Sequence, residues 1–243
     1  MSENQASTPL QLLAIGDCNT GGTREHGTHF NVPKQLKEKL QRQGIDCELY
    51  NYGTTMSTCR EGLQMSKDHQ QAADYLLLNF GLVDAWKTSI PQIYISYYPD
   101  NKLKKFARKL LKSLKKRLRG PARKGWVKSG FAVEPEEYQS KMRSIIELQL
   151  RLNPKLKVIV WGSAPTDNEE RNAWLASYDE YLKEIANGKY HYLDTAGLIK
   201  QAIDNGAERN DIYDDSVHLS AQGASLIASA MQSIIVEDMK QPT

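Results

Sequence analysis

Three short segments hold the residue types of an acyl-transfer site. Cys18, in Ile-Gly-Asp-Cys-Asn, directly follows an apolar run, and a thiol at such a strand end is a candidate nucleophile. Gly53 follows a second apolar run and offers a backbone N–H to an oxyanion. Asp215 and His218 are three positions apart, so the carboxylate can hold the imidazole while the imidazole acts on the thiol. The sequence therefore predicts a Cys18-His218-Asp215 triad, with the N–H groups of Cys18 and Gly53 as the oxyanion hole.

Other side chains near these segments are weaker candidates for a functional role. His26 and His29 lie in the loop after Cys18, where they either line the pocket or belong to an ordinary solvated loop. Because no metal-ligand spacing accompanies them or the three cysteines, we expect no metal and no cofactor. Trp86 either stacks on a sugar ring or caps the core. His191, inside a short apolar run, is expected to be a sheet residue and not a base.

The elements that must position these residues alternate between strands and helices. Parallel strands are predicted at 10–15, 47–52, 75–80, 156–161 and 190–193. Helices are predicted at about 33–43, 138–152, 169–187, 196–204 and 221–236. This alternation predicts a three-layer α/β/α sandwich around a flavodoxin-like parallel sheet of about five strands in the order 2-1-3-4-5. Ligands of such sheets bind at the carboxyl ends of the strands, where Cys18 and Gly53 lie.

The motifs, taken in order, resemble those of the SGNH (GDSL-type) hydrolase family. The matching segments are Gly16-Asp17-Cys18 for Gly-Asp-Ser, Gly53 for the oxyanion glycine, Gly81-Leu82-Val83-Asp84 for Gly-x-Asn-Asp, and Asp215 to His218 for Asp-x-x-His. The resemblance implies ester hydrolysis on a flavodoxin-like sheet. It also implies that Asp17 and Asp84 bond to backbone groups and hold the catalytic loops.

Two positions depart from that family pattern. Cys18 stands in place of the nucleophilic Ser, so it either serves as the nucleophile or packs at the strand end of a degenerate site. Val83 stands in place of an oxyanion Asn, and losing one such donor costs roughly 10²–10³ in rate. The amides of Asn19 and Asn79 are candidates to replace it, although the sequence does not place either of them.

Three functions remain open on this constellation. The first is an esterase or acylhydrolase acting on an O-acylated carbohydrate or another small ester. The second is an acyltransferase, because a thioester intermediate retains more acyl-transfer potential than an oxygen ester. The third is a non-catalytic SGNH-like protein that uses the pocket to bind a glycan.

Composition limits the class of protein. The 243 residues are 40% hydrophobic and contain no apolar run long enough to span a membrane. The polar start does not resemble a secretory signal, and three unpaired-looking cysteines suit a reducing compartment. We therefore expect a cytoplasmic protein with a single domain over residues 1–243.

One basic segment needs its own explanation. Between Lys102 and Lys128 lie thirteen Lys or Arg residues and no Asp or Glu, in a chain whose net charge is only +3. Apolar residues recur at helical spacing from Leu103 to Leu118, which predicts an amphipathic helical insertion at about 100–128. Through residues 102–119 this helix either packs on the domain, covers the site as a lid, binds an acidic polysaccharide, or makes the protein peripheral to an anionic membrane. We expect no nucleic-acid partner, because no nucleic-acid motif accompanies the segment.

Overall fold

The computed structural model describes residues 8–22, 31–88 and 130–241, together with a few helical positions between 102 and 113. Its strands are β1 Leu10–Gly16, β2 Cys47–Asn51, β3 Tyr75–Asn79, β4 Lys87–Thr88, β5 Gly130–Phe131, β6 Lys157–Trp161 and β7 His191–Leu193. Five of them form one parallel sheet in the order β2-β1-β3-β6-β7. This is the predicted 2-1-3-4-5 order, so the flavodoxin-like topology is confirmed.

Helices cover both faces of this sheet. They are α1 Cys18–Gly21, α2 Val32–Arg42, α3 Cys59–Asp68, α4 Pro135–Leu152, α5 Glu169–Ala186, α6 Thr195–Asp204, α7 Arg209–Ile212 and α8 Ala221–Lys240. Successive residues of β1 point to opposite faces, so Leu13 and Ile15 join the core beneath α3, α4 and α5. Leu12 and Ala14 join a second core, beneath α2, α6 and α8. The predicted three-layer sandwich is therefore present.

The sheet register brings the predicted site segments to one edge. In the centre of the sheet, Ala14 of β1 pairs with Asn51 of β2, and Gly16 pairs with Asn79 of β3. The loops that begin after these residues therefore leave the sheet side by side. This arrangement explains how Cys18 and Gly53, which are 35 positions apart in the sequence, lie in adjoining loops.

Several elements differ from the sequence-based prediction. The short helices α1 and α7 and the two-residue strands β4 and β5 were not predicted, and α4 begins at Pro135, three residues before its predicted start. Helix α3, between β2 and β3, was not predicted, and α8 extends to Lys240 and not to 236. The buried face of α3 consists of Cys59, Gly62, Met65 and Ser66, so this helix has little apolar periodicity to detect. Asp238 in the last turns of α8 accepts a hydrogen bond from Tyr75, which holds that end of the helix against β3.

The basic segment is described only in part. At the helical positions between 102 and 113, Leu103, Phe106 and Leu110 are 83%, 69% and 61% exposed. Residues 114–128 lie outside the described residues. None of the helices in the described ranges combines the length and the apolar character needed to cross a membrane.

Candidate active site

Cys18 begins a four-residue helix at the carboxyl end of the central strand. Asp17 is the N-cap of α1, and its Oδ1 accepts a hydrogen bond from the Asn19 N–H at 3.0 Å. A Cβ at Gly16 would lie less than 3.0 Å from Thr20 and from the carbonyl oxygen of Asn79, so only glycine fits before this turn. The strand end and the cap together fix the position of Cys18, which is 5% exposed.

The Cys18 thiol is held in its neutral form. Burial raises the pKa of this thiol well above its usual value, and the charges of Asp17 and Asp215 act in the same direction. The backbone N–H groups of Cys18 and Asn19 face the sulfur and lower the pKa, but by less. A protonated thiol needs a general base before it can attack a carbonyl carbon.

Asp215 and His218 form a hydrogen-bonded pair in the turn before α8. Asp215 Oδ2 lies 2.6 Å from His218 Nδ1, and Asp215 Oδ1 accepts hydrogen bonds from the N–H groups of Val217 and His218, each at 2.8 Å. Burial alone would raise the pKa of Asp215, but the bonds from His218 and Val217 outweigh it and hold the pKa below its usual value. Because the carboxylate engages Nδ1, proton exchange with a reacting group would take place at Nε2.

Asn19 ties the nucleophile turn to the histidine turn. Its Nδ2 donates to the carbonyl oxygen of Val217 at 3.3 Å, and its Oδ1 accepts from the N–H of Leu219 at 3.1 Å. One side chain, adjacent to Cys18, therefore binds the backbone on both sides of His218. The structure thus brings the two predicted catalytic segments together, although 200 positions separate Cys18 from His218.

Gly53 lies in close backbone contact with the loop of the nucleophile. A Cβ at Gly53 would lie less than 3.0 Å from backbone atoms of Thr20 and Gly21, so a side chain is excluded there for steric reasons. The Gly53 N–H, predicted as an oxyanion donor, donates to Asn51 Oδ1 at 2.9 Å in the resting structure. An oxyanion at this N–H must therefore replace or share the bond with Asn51.

Asp84 fixes the third predicted segment. Its Oδ1 accepts from the Cys59 N–H at the start of α3, at 2.9 Å, and its Oδ2 accepts from the Gly81 N–H at 3.0 Å. Complete burial raises the pKa of Asp84 to about 6. Burial also raises the pKa of Asp17 to about 7, and the charge of Asp84 adds to that rise. Both carboxyl groups hold loop backbone at the carboxyl end of the sheet.

Both asparagines considered as replacements for the missing family amide bond to neighbouring backbone, and Asn79 has two acceptors for its amide. Val83 is buried in the turn after β3 and provides no donor. Asn19 uses its amide on the histidine turn, as described above. Asn79 donates its amide to the carbonyl oxygens of Trp161 and Gly162, at 2.8 and 3.3 Å, and so joins β3 to the end of β6.

Arg171, which the sequence did not identify as a site residue, lies at this same edge. Its Nη2 donates to the carbonyl oxygen of Leu82 at 2.8 Å, and its guanidinium carbon lies 5.1 Å from the centre of the Trp86 ring. Burial lowers the pKa of this guanidinium, while the charges of Asp17 and Asp167 favour its positive form. No local sequence signal marks Arg171, because its contacts lie 85 to 89 positions earlier in the chain.

His69 and His191 fall outside this constellation. His69 stacks on Tyr52, with ring centres 4.2 Å apart. His191 bonds through Nε2 to Asp238 at the opposite end of the sheet. Both His26 and His29 lie outside the described residues. Among the residues that the structure describes, no group of three or more His, Cys, Asp or Glu side chains has a geometry suited to a metal ion.

Comparison with known proteins yields one family match and many structural matches. The model of the GDSL-like lipase/acylhydrolase family matches residues 14–226. A catalytic Ser-to-Ala mutant of Axe2, an acetylxylan esterase from Geobacillus stearothermophilus, superimposes with a TM-score of 0.61 and 19% identity over 93% of this chain and 94% of that one. A lipase/acylhydrolase from Enterococcus faecalis superimposes with a TM-score of 0.63 and 13% sequence identity, over 94% of this chain and 96% of that one. No curated protein matches the sequence. At these identities the structural likenesses establish the fold.

Proposed function

This chain belongs to the GDSL-like lipase/acylhydrolase family of ester-hydrolysing enzymes, and from that premise we propose that it is a carbohydrate esterase with Cys18 as its nucleophile. In this proposal His218 is the general base and acid, and Asp215 orients its imidazole. The substrate is an O-acylated carbohydrate. The observation that supports the triad most directly is the pair of Asn19 hydrogen bonds, which hold the backbone on both sides of His218 beside the turn of Cys18.

The first half of the reaction forms a thioester. His218 Nε2 takes the proton of the Cys18 thiol as the sulfur attacks the acyl carbonyl carbon, and the carbonyl electron pair moves to the oxygen. When the tetrahedral intermediate collapses, the bond to the sugar oxygen breaks. The sugar oxygen then takes the proton from His218. Because the thiol is neutral at rest, proton removal by His218 accompanies the attack.

The second half releases the acid. A water molecule gives its proton to His218 as its oxygen attacks the thioester carbon, and the collapse of this intermediate expels the sulfur, which takes the proton back. Throughout, the imidazolium is stabilised by Asp215, whose pKa below the usual value keeps it ionised. The cycle consumes one water and returns Cys18 as a thiol, with no cofactor in the proposal.

The oxyanion of both intermediates is proposed to bind backbone N–H groups. The Cys18 N–H is at the first position of α1, where a helix leaves its N–H groups without intrahelical partners. The Gly53 N–H contributes when its bond to Asn51 Oδ1 is exchanged for one to the oxyanion. With Val83 in the turn after β3, two backbone donors replace a set that elsewhere in the family includes an Asn side chain.

The carbohydrate part of the proposal has two supports. Axe2 is an acetylxylan esterase, and it shares this fold over nearly its whole length. Trp86, at the end of the turn that contains Val83, is 38% exposed and so offers part of its indole surface beside the site. An exposed indole next to a catalytic turn suits the stacking of a sugar ring.

The test uses a small neutral ester and the mass of the intact protein. Wild type, Cys18→Ala and Cys18→Ser are incubated with 4-nitrophenyl acetate, and acetate release and acetyl adducts are measured. We expect turnover and a Cys18-dependent acetyl adduct in the wild type, at least about 10³-fold less turnover in Cys18→Ala, and an intermediate value in Cys18→Ser. Turnover by Cys18→Ala at the wild-type rate would refute the nucleophile.

Two further measurements separate the alternatives. Acetyl groups that appear on an added sugar acceptor in preference to water would identify an acyltransferase. The absence of turnover for several acetylated sugars, combined with sugar binding that Cys18→Ala retains, would identify a binding protein.

For the basic segment we propose peripheral binding to an anionic membrane by an insertion within a single domain that spans residues 1–243, in a cytoplasmic protein. The exposed Leu103, Phe106 and Leu110 supply an apolar face, and the surrounding Lys and Arg residues suit an anionic surface.

We expect the protein to co-sediment with phosphatidylserine vesicles and not with phosphatidylcholine vesicles. Replacing Leu103 and Phe106 with Ser should weaken that binding and leave the turnover of 4-nitrophenyl acetate unchanged. Equal recovery with both vesicle types would refute the proposal.

A further inference from the structure

Arg171 lies beside the candidate site with no negative partner among the residues that the structure describes. Its two contacts are the carbonyl oxygen of Leu82 and the ring of Trp86, and neither carries a charge. Another arginine of the chain shows the contrast, since Arg60 donates Nε and Nη2 to both carboxylate oxygens of Glu137, at 2.7 and 2.6 Å. In the described part of the chain, Arg171 has no carboxylate within ion-pair distance, 4.0 Å.

The surroundings of the Arg171 guanidinium also disfavour its positive charge. Its Nε is buried and has no acceptor within the described ranges. Burial lowers the pKa of Arg171, which means that the surroundings disfavour its charge. A half-buried cation with an unused donor is stabilised when an anion reaches it, and a guanidinium is well suited to bind a carboxylate.

The surrounding structure holds Arg171 rigidly at the edge of the site. The backbone N–H of Arg171 donates to the side-chain Oδ1 of Asn168 at 2.8 Å, and Asn168 is the N-cap residue of α5. The next residue, Asn172, exchanges hydrogen bonds with the backbone of Thr166 at 2.7 and 3.0 Å. Together these bonds fix the first turn of α5, so the guanidinium is prepositioned beside the turn that contains Val83.

From these observations we infer that Arg171 and Trp86 form a subsite for an acidic sugar, so that the substrate is an ester of a carbohydrate that bears a carboxylate. The indole surface supports the sugar ring, and the unused N–H donors of Arg171 bind the carboxylate. This inference rests on the proposed carbohydrate esterase and specifies its substrate class. It gives the buried Nε an acceptor and the guanidinium a carboxylate in direct contact, whereas the described carboxylates, Asp17 and Asp167, act on its charge only from beyond ion-pair distance.

A matched pair of substrates tests the charge. Acetate release is measured from mono-O-acetyl glucuronic acid and from mono-O-acetyl glucose, with 4-nitrophenyl acetate as a neutral ester that has no sugar. The enzymes are wild type, Arg171→Gln, Arg171→Lys and Arg151→Gln, a control at an exposed arginine in the last turn of α4. We expect the wild type to prefer the acidic sugar. In Arg171→Gln, we expect KM for the acidic sugar to rise about tenfold to hundredfold and KM for the neutral sugar to change by a much smaller factor.

Three outcomes would contradict the inference. Equal wild-type activity on the two sugars removes the subsite. A parallel fall in kcat for 4-nitrophenyl acetate in Arg171→Gln assigns the guanidinium to the oxyanion and not to the substrate carboxylate. We expect Arg171→Lys to have the raised KM of Arg171→Gln, because lysine lacks the planar fork, so full recovery by lysine would refute recognition by the guanidinium geometry.

A binding measurement separates failure of this inference from failure of the esterase proposal. Glucuronate and glucose are titrated onto Cys18→Ala and onto Cys18→Ala with Arg171→Gln, and binding is followed by ligand-observed NMR. We expect Cys18→Ala to bind glucuronate more tightly than glucose and the double variant to lose that preference. If no variant hydrolyses any ester but the preference for glucuronate persists, the acidic-sugar subsite is supported and the esterase proposal is refuted. If esters are hydrolysed but glucuronate is not preferred, the acidic-sugar subsite is refuted and the esterase proposal is not.

Discussion

Two histidine–aspartate pairs lie at opposite ends of the same sheet. At the carboxyl end, Asp215 and His218 are joined within one turn, 2.6 Å apart, with side chains 31% and 21% exposed. At the amino end, His191 at the start of β7 meets Asp238 of α8 at 3.1 Å, with side chains 40% and 15% exposed. The pairs are also related by α8, which begins just after the first and includes the aspartate of the second.

The difference between the pairs lies in which nitrogen is bonded and in what surrounds the aspartate. Asp215 bonds to Nδ1 of its histidine, whereas Asp238 bonds to Nε2 of the other. Asp215 also accepts from the backbone N–H groups of its own turn, while Asp238 accepts from the Tyr75 hydroxyl and lies 3.6 Å from the Lys157 ammonium. A histidine–aspartate contact alone therefore does not mark a catalytic site. The first pair differs in lying beside the turn of Cys18, the proposed nucleophile.

The largest predicted contrast is between the two histidines. His218→Gln should lower kcat for 4-nitrophenyl acetate by about 10³-fold or more, because the thiol loses its base. His191→Gln should leave kcat/KM within about twofold and lower the free energy of unfolding by about 1 kcal/mol, because it weakens one hydrogen bond between β7 and α8. Steady-state kinetics and urea unfolding of both variants check this. Similar kinetic losses in the two would show that the comparison is wrong.

A second prediction sharpens the role of the contact between the catalytic turns. Asn19→Ala removes both bonds that hold the backbone beside His218, so kcat should fall about 10- to 100-fold while KM changes little. Gln232→Ala is the matched control, because that amide also joins distant elements, donating to the Lys39 carbonyl oxygen at 2.9 Å away from the site. A rise in KM without a change in kcat would assign Asn19 to substrate binding instead.

A third prediction concerns stability and not turnover, and it involves the buried carboxyl group of Asp17 at the carboxyl end of the sheet. The pKa of Asp17 is about 7 in the folded protein against 3.8 ordinarily, so the folded state binds the proton more tightly than the unfolded state does. Stability from this group is therefore lost as pH rises from about 4 to 7, with a slope of at most about 1.4 kcal/mol per pH unit. Asp17→Asn should flatten that slope in urea unfolding at pH 4, 6 and 8. The exposed-site variant Asp204→Asn should keep the wild-type slope.

Much of the fold was predictable because the sheet is buried on both faces. Each central strand is a continuous apolar run, and the predicted bounds agree with the structure to about one residue. Helix α3 was missed because it packs with small and polar residues, such as Gly62 against the Phe80 ring and Ser66 against Gln149. Its capping box, Thr58 with Glu61, was the available signal.

The candidate site could be proposed from the sequence where its residues are close along the chain or follow neighbouring strands. Asp215 and His218 are close in sequence, and Cys18 and Gly53 follow strands whose ends must meet. The sequence did not reveal the resting bond from Gly53 to Asn51 or the buried state of the thiol, because both depend on how neighbouring loops pack. The sequence did not indicate Arg171 for the same reason. Its side chain contacts Leu82 and Trp86, which follow β3, whereas Arg171 itself lies in the helix after β6.

The Asn19 bridge has a consequence for the order in which the protein is made. Its hydrogen bonds join residues 198 and 200 positions apart, so nearly the whole chain must be synthesised before they can form. A nascent chain that ends at Asp214 contains the Cys18 thiol and all five strands of the parallel sheet, but it lacks His218, the proposed base. If the proposed triad is correct, the sheet is complete before the chain can be active, so unfinished copies are expected to be inactive.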